Sequence, residues 1–138
     1  MDEAIIKLMD DHVLPYLRRF DTNLFRMDKL YKETCDSMLR QHMQVLEDIY
    51  DRASSLDAKP GEDSVMSIGE FTKLITTTLM NDDALSMNTR EIGTLFNLSM
   101  MTQVDEIFSE RHCQMSLIEF VEAICRVADR VVHPERIR

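Results

Sequence analysis

The six residues Met66-Ser67-Ile68-Gly69-Glu70-Phe71 return 49 positions later as Met115-Ser116-Leu117-Ile118-Glu119-Phe120. Each copy lies between a polar loop and an amphipathic run, so one supersecondary unit is present twice. After the first copy, Phe71, Leu74, Ile75 and Leu79 recur at three- and four-residue steps; after the second, Phe120, Ile124, Val127, Ala128 and Val131 do the same. That spacing places each set on one face of a helix, not on a strand. The repeat therefore predicts two helical units, each opening its exit helix with the same six residues.

The remaining segments read the same way. A polar link over 81–88 leads to a helix over 89–101 with Ile92, Leu95, Phe96 and Ser99 on one side. Upstream, Ile5, Leu8, His12 or Val13, Tyr16 and Phe20 predict an amphipathic first helix that Pro15 kinks or ends. From 24 to 56 there is neither Gly nor Pro, and Leu39, His42, Leu46, Ile49, Ala53 and Leu56 form a stripe. One long helix follows from this, or two with a break near Thr34 to Ser37. The Pro60-Gly61 pair within 57–63 ends it. With three Gly and three Pro in 138 residues, long helices are favoured over a sandwich or barrel needing many tight turns. The expected class is all-α, with an N-terminal helical extension over 1–42, a paired unit over 43–131 and a frayed tail over 132–138.

Composition narrows the partners. Apolar residues are 44% and charged residues 30%, a balance that supports a folded core. A formal net charge of −9 argues against a phosphate-backbone ligand, so no nucleic acid is expected. The acidic start and the lack of a sustained apolar run predict neither a secretory signal nor a membrane partner. Cys35, Cys113 and Cys125 are odd in number and widely spaced, which fits a reducing cytoplasmic setting better than a disulfide framework. Cys35 and Cys125 read as inert thiols on apolar helix faces, and His42 as a buried, hydrogen-bonded histidine. The glycines Gly61, Gly69 and Gly93 do not cluster into a nucleotide loop, and no HExxH pattern is present.

A calcium-binding EF-hand loop has twelve positions, with oxygen ligands at 1, 3, 5, 7 and 9 and a bidentate Glu at 12, where the exit helix begins. Laid on that frame, Glu70 and Glu119 fall at position 12, Ser67 and Ser116 at 9, and Met66 and Met115 at 8. The sequence over 43–131 thus resembles the EF-hand pairs of calmodulin-like proteins. More narrowly it is similar to degenerate EF-hand pairs of ciliary, flagellar and cytoskeletal proteins of protists and other eukaryotes. The resemblance implies a short two-residue antiparallel bridge between the loops at Met66 and Met115.

The departures from the frame bear on ion binding. Position 1 is Lys59 in the first loop and Phe108 in the second, and position 6, where Gly makes the sharp turn, is Ser64 or Cys113. No metal is expected; a weak calcium site could only draw on Asp57, Asp63, Ser67 and Glu70. His112 and Cys113 with Glu110 lack a second ligand pair for zinc. A second reason to keep the two glutamates is helix capping. Ser67 with Glu70, Asn88 with Glu91, and Ser116 with Glu119 each have the capping-box spacing, and the Asn88 box belongs to no loop of the frame.

The candidate core and groove residues are Met66, Phe71, Leu74, Ile75, Ile92, Leu95, Phe96, Met100, Met115, Phe120 and Ile124. Eleven methionines include Met100 and Met101, which read as groove residues for a partner helix. Arg18, Arg19, Arg26, Lys29 and Lys32 read as a solvated basic face. No catalytic constellation and no cofactor are expected. The resemblance implies a non-catalytic, calcium-independent protein-interaction or scaffold module of the cytoskeleton or a cilium or flagellum, with an amphipathic helix or a cytoskeletal or ciliary component as partner. The alternatives are a weak calcium sensor or buffer using the first loop, and a helical self-assembly unit acting as a homo-oligomer.

Overall fold

The computed structural model describes residues 3–13, 22–54, 65–79, 87–101 and 111–133. Helix α1 (Glu3–Leu8) continues as a π-helical turn over Met9–Val13, and α2 (Thr22–Phe25) continues likewise over Arg26–Leu30. They are followed by α3 (Glu33–Ser54), α4 (Ile68–Leu79), α5 (Thr89–Ser99) and α6 (Leu117–Val132), with a 3-10 turn at Arg111–Cys113. The fold is all-α. Among the described residues the β structure is limited to an isolated antiparallel bridge between Met66 and Met115.

Helix α3 is long because nothing inside it stops a helix: 22 residues without Gly or Pro, rich in Leu, Met, Gln and Arg. It crosses 42–43 without interruption. The break before it lies at Tyr31 and Lys32, upstream of Thr34 to Ser37, where the Tyr31 N–H donates to the Arg26 carbonyl at 2.8 Å and closes a π turn. The inward stripe also differs from the expected one. Leu39, Met43 and Leu46 are half-buried and Tyr50 and Ala53 buried, whereas His42 and Ile49 are exposed. Leu39, Leu46 and Ala53 keep their places, but Met43 and Tyr50 stand inward where His42 and Ile49 were expected, which turns the centre of the stripe by about 40°, so His42 is a surface histidine and not a core one.

Helix α3 packs on α4 and α6, α4 on α5, and α5 on α6, so four helices close a circuit around one core. Phe71 and Phe120 close the two copies of the repeat, and here they meet at 6.4 Å between ring centroids, edge to face. Phe96 of α5 lies 5.8 Å from Phe71, and Tyr50 of α3 lies 5.5 Å from Phe120. Each such pair adds about 0.5–1.5 kcal/mol beyond the area it removes from water. Ile75, Ile92, Leu95, Met66, Met100 and Met115, with Ala53, Ala123 and Val127, complete the buried cluster, and Leu74 and Ile124 pack against its edge. Met100 is therefore core and forms no groove, while its neighbour Met101 is exposed.

Two buried serines would leave unpaired hydroxyls in this core. Ser54 Oγ donates to the Tyr50 carbonyl at 2.7 Å and Ser99 Oγ to the Leu95 carbonyl at 2.8 Å, each one helical turn back. Helix α1 contributes no buried residue; Ile5, Ile6, Leu8 and Met9 are exposed.

Candidate functional site

The two helix–loop–helix units, α3 with α4 and α5 with α6, are joined where their loops end. Met66 N–H donates to the Met115 carbonyl and Met115 N–H to the Met66 carbonyl, both at 2.9 Å. Both side chains are fully buried. Tyr50 reaches the same place from α3 and donates its O–H to the Met115 carbonyl at 2.8 Å. Backbone bridge and phenol together tie three elements at one point, and the burial of the ring holds the Tyr50 hydroxyl above its ordinary pKa.

Just beyond the bridge each exit helix begins on a reciprocal cap. Ser67 N–H and Oγ donate to Glu70 Oε2 at 2.8 and 2.9 Å, and the Glu70 N–H returns a bond to Ser67 Oγ at 3.3 Å. Ser116 N–H and Oγ donate to Glu119 Oε2, both at 2.8 Å. Helix α5, which follows no such loop, starts on the same device: Asn88 N–H donates to Glu91 Oε2 at 3.1 Å and Glu91 N–H to Asn88 Oδ1 at 2.9 Å. Such caps satisfy N–H groups that a helix start leaves without partners.

The two repeat glutamates then part company. Glu119 is completely buried and collects bonds from both ends of the second loop. Met101 N–H, at the exit of α5, donates to its Oε1 at 2.9 Å. Arg111 Nη2 donates to its Oε2 at 2.8 Å, while Arg111 Nη1 donates to the Gln114 carbonyl. Burial by itself would raise the Glu119 pKa. The bonds from Ser116, Met101 and Arg111 outweigh it and hold the carboxyl below its usual range. The carboxylate is thus ionised in a dry setting, which requires a fixed counter-charge.

In the twelve-position frame Gln114 stands at position 7, which offers a backbone carbonyl, and Glu119 at position 12, which offers a carboxylate. The guanidinium of Arg111 bonds both. Its forked, planar donors suit two oxygens presented side by side. Sequence reasoning passed over Arg111, since position 4 offers no ligand; the one signal was its contrast with Glu62 at the same position of the first loop.

The first frame is described only from Val65 onward, so Asp57 and Asp63 lie outside the described residues, as do Lys59 and Phe108. Among the described residues no group of three or more His, Cys, Asp or Glu side chains gathers. His112 and Cys113 are exposed.

Charges also join the N-terminal segment to α6. Arg26 Nε donates to both oxygens of Glu122 at 3.0 and 2.9 Å, and Lys29 pairs with Asp129. Arg26 and Lys29 are thus paired with α6, Lys32 is exposed, and Arg18 and Arg19 lie outside the described residues. One turn after Arg126 on α6, Arg130 Nη2 donates to Glu91 at 2.6 Å, and that bond lowers the Glu91 pKa. No helix is long and apolar enough to cross a membrane among the described residues. Compared with protein-family models, curated proteins and solved structures, the chain matches none.

Proposed function

We propose that this chain is a non-catalytic, calcium-independent protein-interaction module built on a degenerate EF-hand pair. The observation that carries this reading is the Arg111 guanidinium bonded to both Gln114 carbonyl and Glu119 carboxylate, the position 7 and position 12 oxygens. A divalent ion entering the second loop would have to displace a tethered cation from a buried carboxylate. The Met66–Met115 bridge and the paired caps support the paired-unit part of the reading, since they join the two units and start both exit helices. Without an ion to drive opening, the helices hold one arrangement, and binding acts through a surface already formed. The partner class is a helical protein segment, with a cytoskeletal or ciliary assembly as the setting.

The test is thermal unfolding in EDTA and in millimolar calcium. A ligand that binds the native state raises its stability by mass action, so melting curves that superimpose are expected. A rise of several degrees in calcium would overturn calcium independence and return the chain to the sensor class.

A further inference from the structure

Helix α6 presents one polar face away from the core. Glu122 and Arg126 are nearly buried on it, and Asp129 follows on the same side. What covers this face is the chain's own α2, and the contacts fall in a strict pattern. Arg26 grips Glu122 with two bonds, Lys29 pairs with Asp129, and Arg126 lies 4.4 Å from the centroid of the Phe25 ring. Arg126 Nη2 also donates to the Thr22 carbonyl at 2.9 Å, at the first residue of α2. On α2 the contacts come from Thr22, Phe25, Arg26 and Lys29; on α6 from Glu122, Arg126 and Asp129. Both sets are single helix faces.

Glu122 keeps only 3% of its side chain exposed and lies between two guanidinium groups, Arg26 from α2 and Arg126 from its own helix. A carboxylate so placed requires charged partners, so the face selects a basic side chain. Arg126 in turn selects a ring to lie against. The hold on α2 is nonetheless polar: none of its residues is buried, and Leu24 and Met27 face solvent. To α6 the segment is held by ion pairs, one ring contact and the bond to the Thr22 carbonyl, and its Arg26–Leu30 turn also packs on α3; with none of its own residues in the apolar core, it can leave α6 by local opening while the core stays folded.

We infer that the Glu122–Arg126–Asp129 face of α6 is a docking surface for a partner helix carrying an aromatic residue followed directly by Arg or Lys and by a second basic residue three positions on, and that α2 is its resident intramolecular occupant. The inference rests on the interaction-module reading and names its partner. It does not depend on calcium independence, so the two can fail separately. The argument for a protein helix is charge complementarity and spacing: α2 itself displays the Phe25-Arg26-x-x-Lys29 pattern that fits.

A fluorescent peptide with the sequence of residues 22–32 serves as the probe, titrated by anisotropy into the full chain and into the full-length Arg26→Glu/Lys29→Glu variant. Charge reversal repels α2 from Glu122 and Asp129 and vacates the face. The variant is expected to bind the peptide at least ten times more tightly than the natural chain, because the resident helix no longer competes at high effective concentration. Adding Glu122→Gln should lose that gain, and raised salt should weaken binding.

Equal affinity in both chains, or equal binding of a scrambled peptide, overturns the proposal, provided that the variant shows a cooperative melt. Should the double variant not fold, Lys29→Ala is read in the same assay, with a smaller gain expected and none counting against the proposal. A concentration-dependent dimer of the natural chain in light scattering, abolished by the same charge reversal, would assign the face to a second copy and overturn the partner reading.

Discussion

Replacing Arg111 by Met keeps the length and the aliphatic stem of the side chain while removing its charge and donors. Glu119 would then be an ionised, fully buried carboxylate without its cation. Removing one partner of a buried pair costs about 3–5 kcal/mol. Arg111 keeps 37% of its side chain in contact with water, and screening on that side reduces the figure to about 2–3 kcal/mol. For a chain of this size ~1 kcal/mol moves the melting temperature by ~3–4 °C, so a fall of about 6–12 °C is expected by calorimetry or circular dichroism. Arg111→Lys should recover part of the loss, since an ammonium restores the charge but lacks the fork that spans Gln114 and Glu119. The double variant Arg111→Met/Glu119→Gln isolates the pair from any other contact of the guanidinium. It should be more stable than the two single effects add up to, by at least ~1 kcal/mol. A Met variant melting within about 2 °C of the natural chain, or strictly additive singles, would refute the assignment of Arg111 as the second loop's cation.

Two further outcomes follow from titration. Glu119, where hydrogen bonds outweigh burial, and Glu91, through its bond to Arg130, both have folded pKa values below the ordinary 4.5. Their contribution to stability is therefore complete above that pH and lost as the pH falls through the lowered values, so urea midpoints should fall steeply only below about pH 4.5. A midpoint already falling steadily between about pH 7 and pH 5 would contradict this. Cys113 is exposed, whereas burial and the neighbouring Cys35 thiol push Cys125 up to about 12. At about pH 8 the Cys125 thiolate is then roughly one part in 10⁴. Alkylation followed by mass spectrometry should label Cys113 early and Cys125 last, and early labelling of Cys125 in the folded chain would count against its placement.

The repeat was the most legible part of the chain because it is local: capping spacing and helical periodicity act over one or two turns. Met66 facing Met115 was what the resemblance implied, and the bridge is present; the meeting of Phe71 with Phe120 was not read from the sequence, since the repeat places each ring on its own helix but does not say how the two helices lie together. Tyr50 was missed because Leu39, Leu46 and Ala53 recur every seven residues, and the position between them can be filled by His42 and Ile49 or, one residue later, by Met43 and Tyr50. Only the neighbouring helices decide which phase is inward. Arg111 and the Arg26–Glu122 pair, separated by 96 positions, left no periodic mark at all. A charge on a helix surface and a charge turned toward a distant partner look alike in sequence, which is why the basic residues of α2 read as solvated.

The clamp and the strap meet on one helix, and their positions make them complementary. Glu119 at the start of α6 is fixed by Arg111, and Glu122, one turn on, receives Arg26. An exchangeable ion could shift the position of α6 with its concentration, whereas a tethered guanidinium has a constant effective concentration and cannot. In the proposed module, regulation is therefore confined to contacts that can be broken without unfolding the core, and those of α2 meet that condition. The order of dependence is also set: releasing α2 leaves the Arg111–Glu119 pair intact, but loosening that pair frees the first turn of α6 and with it the Glu122 acceptor. Lys29→Ala, which breaks a pair whose side chains are 32% and 23% exposed, should accordingly melt closer to the natural chain than Arg111→Met does, and the reverse order would mean that α2 belongs to the structural core and is not a displaceable occupant.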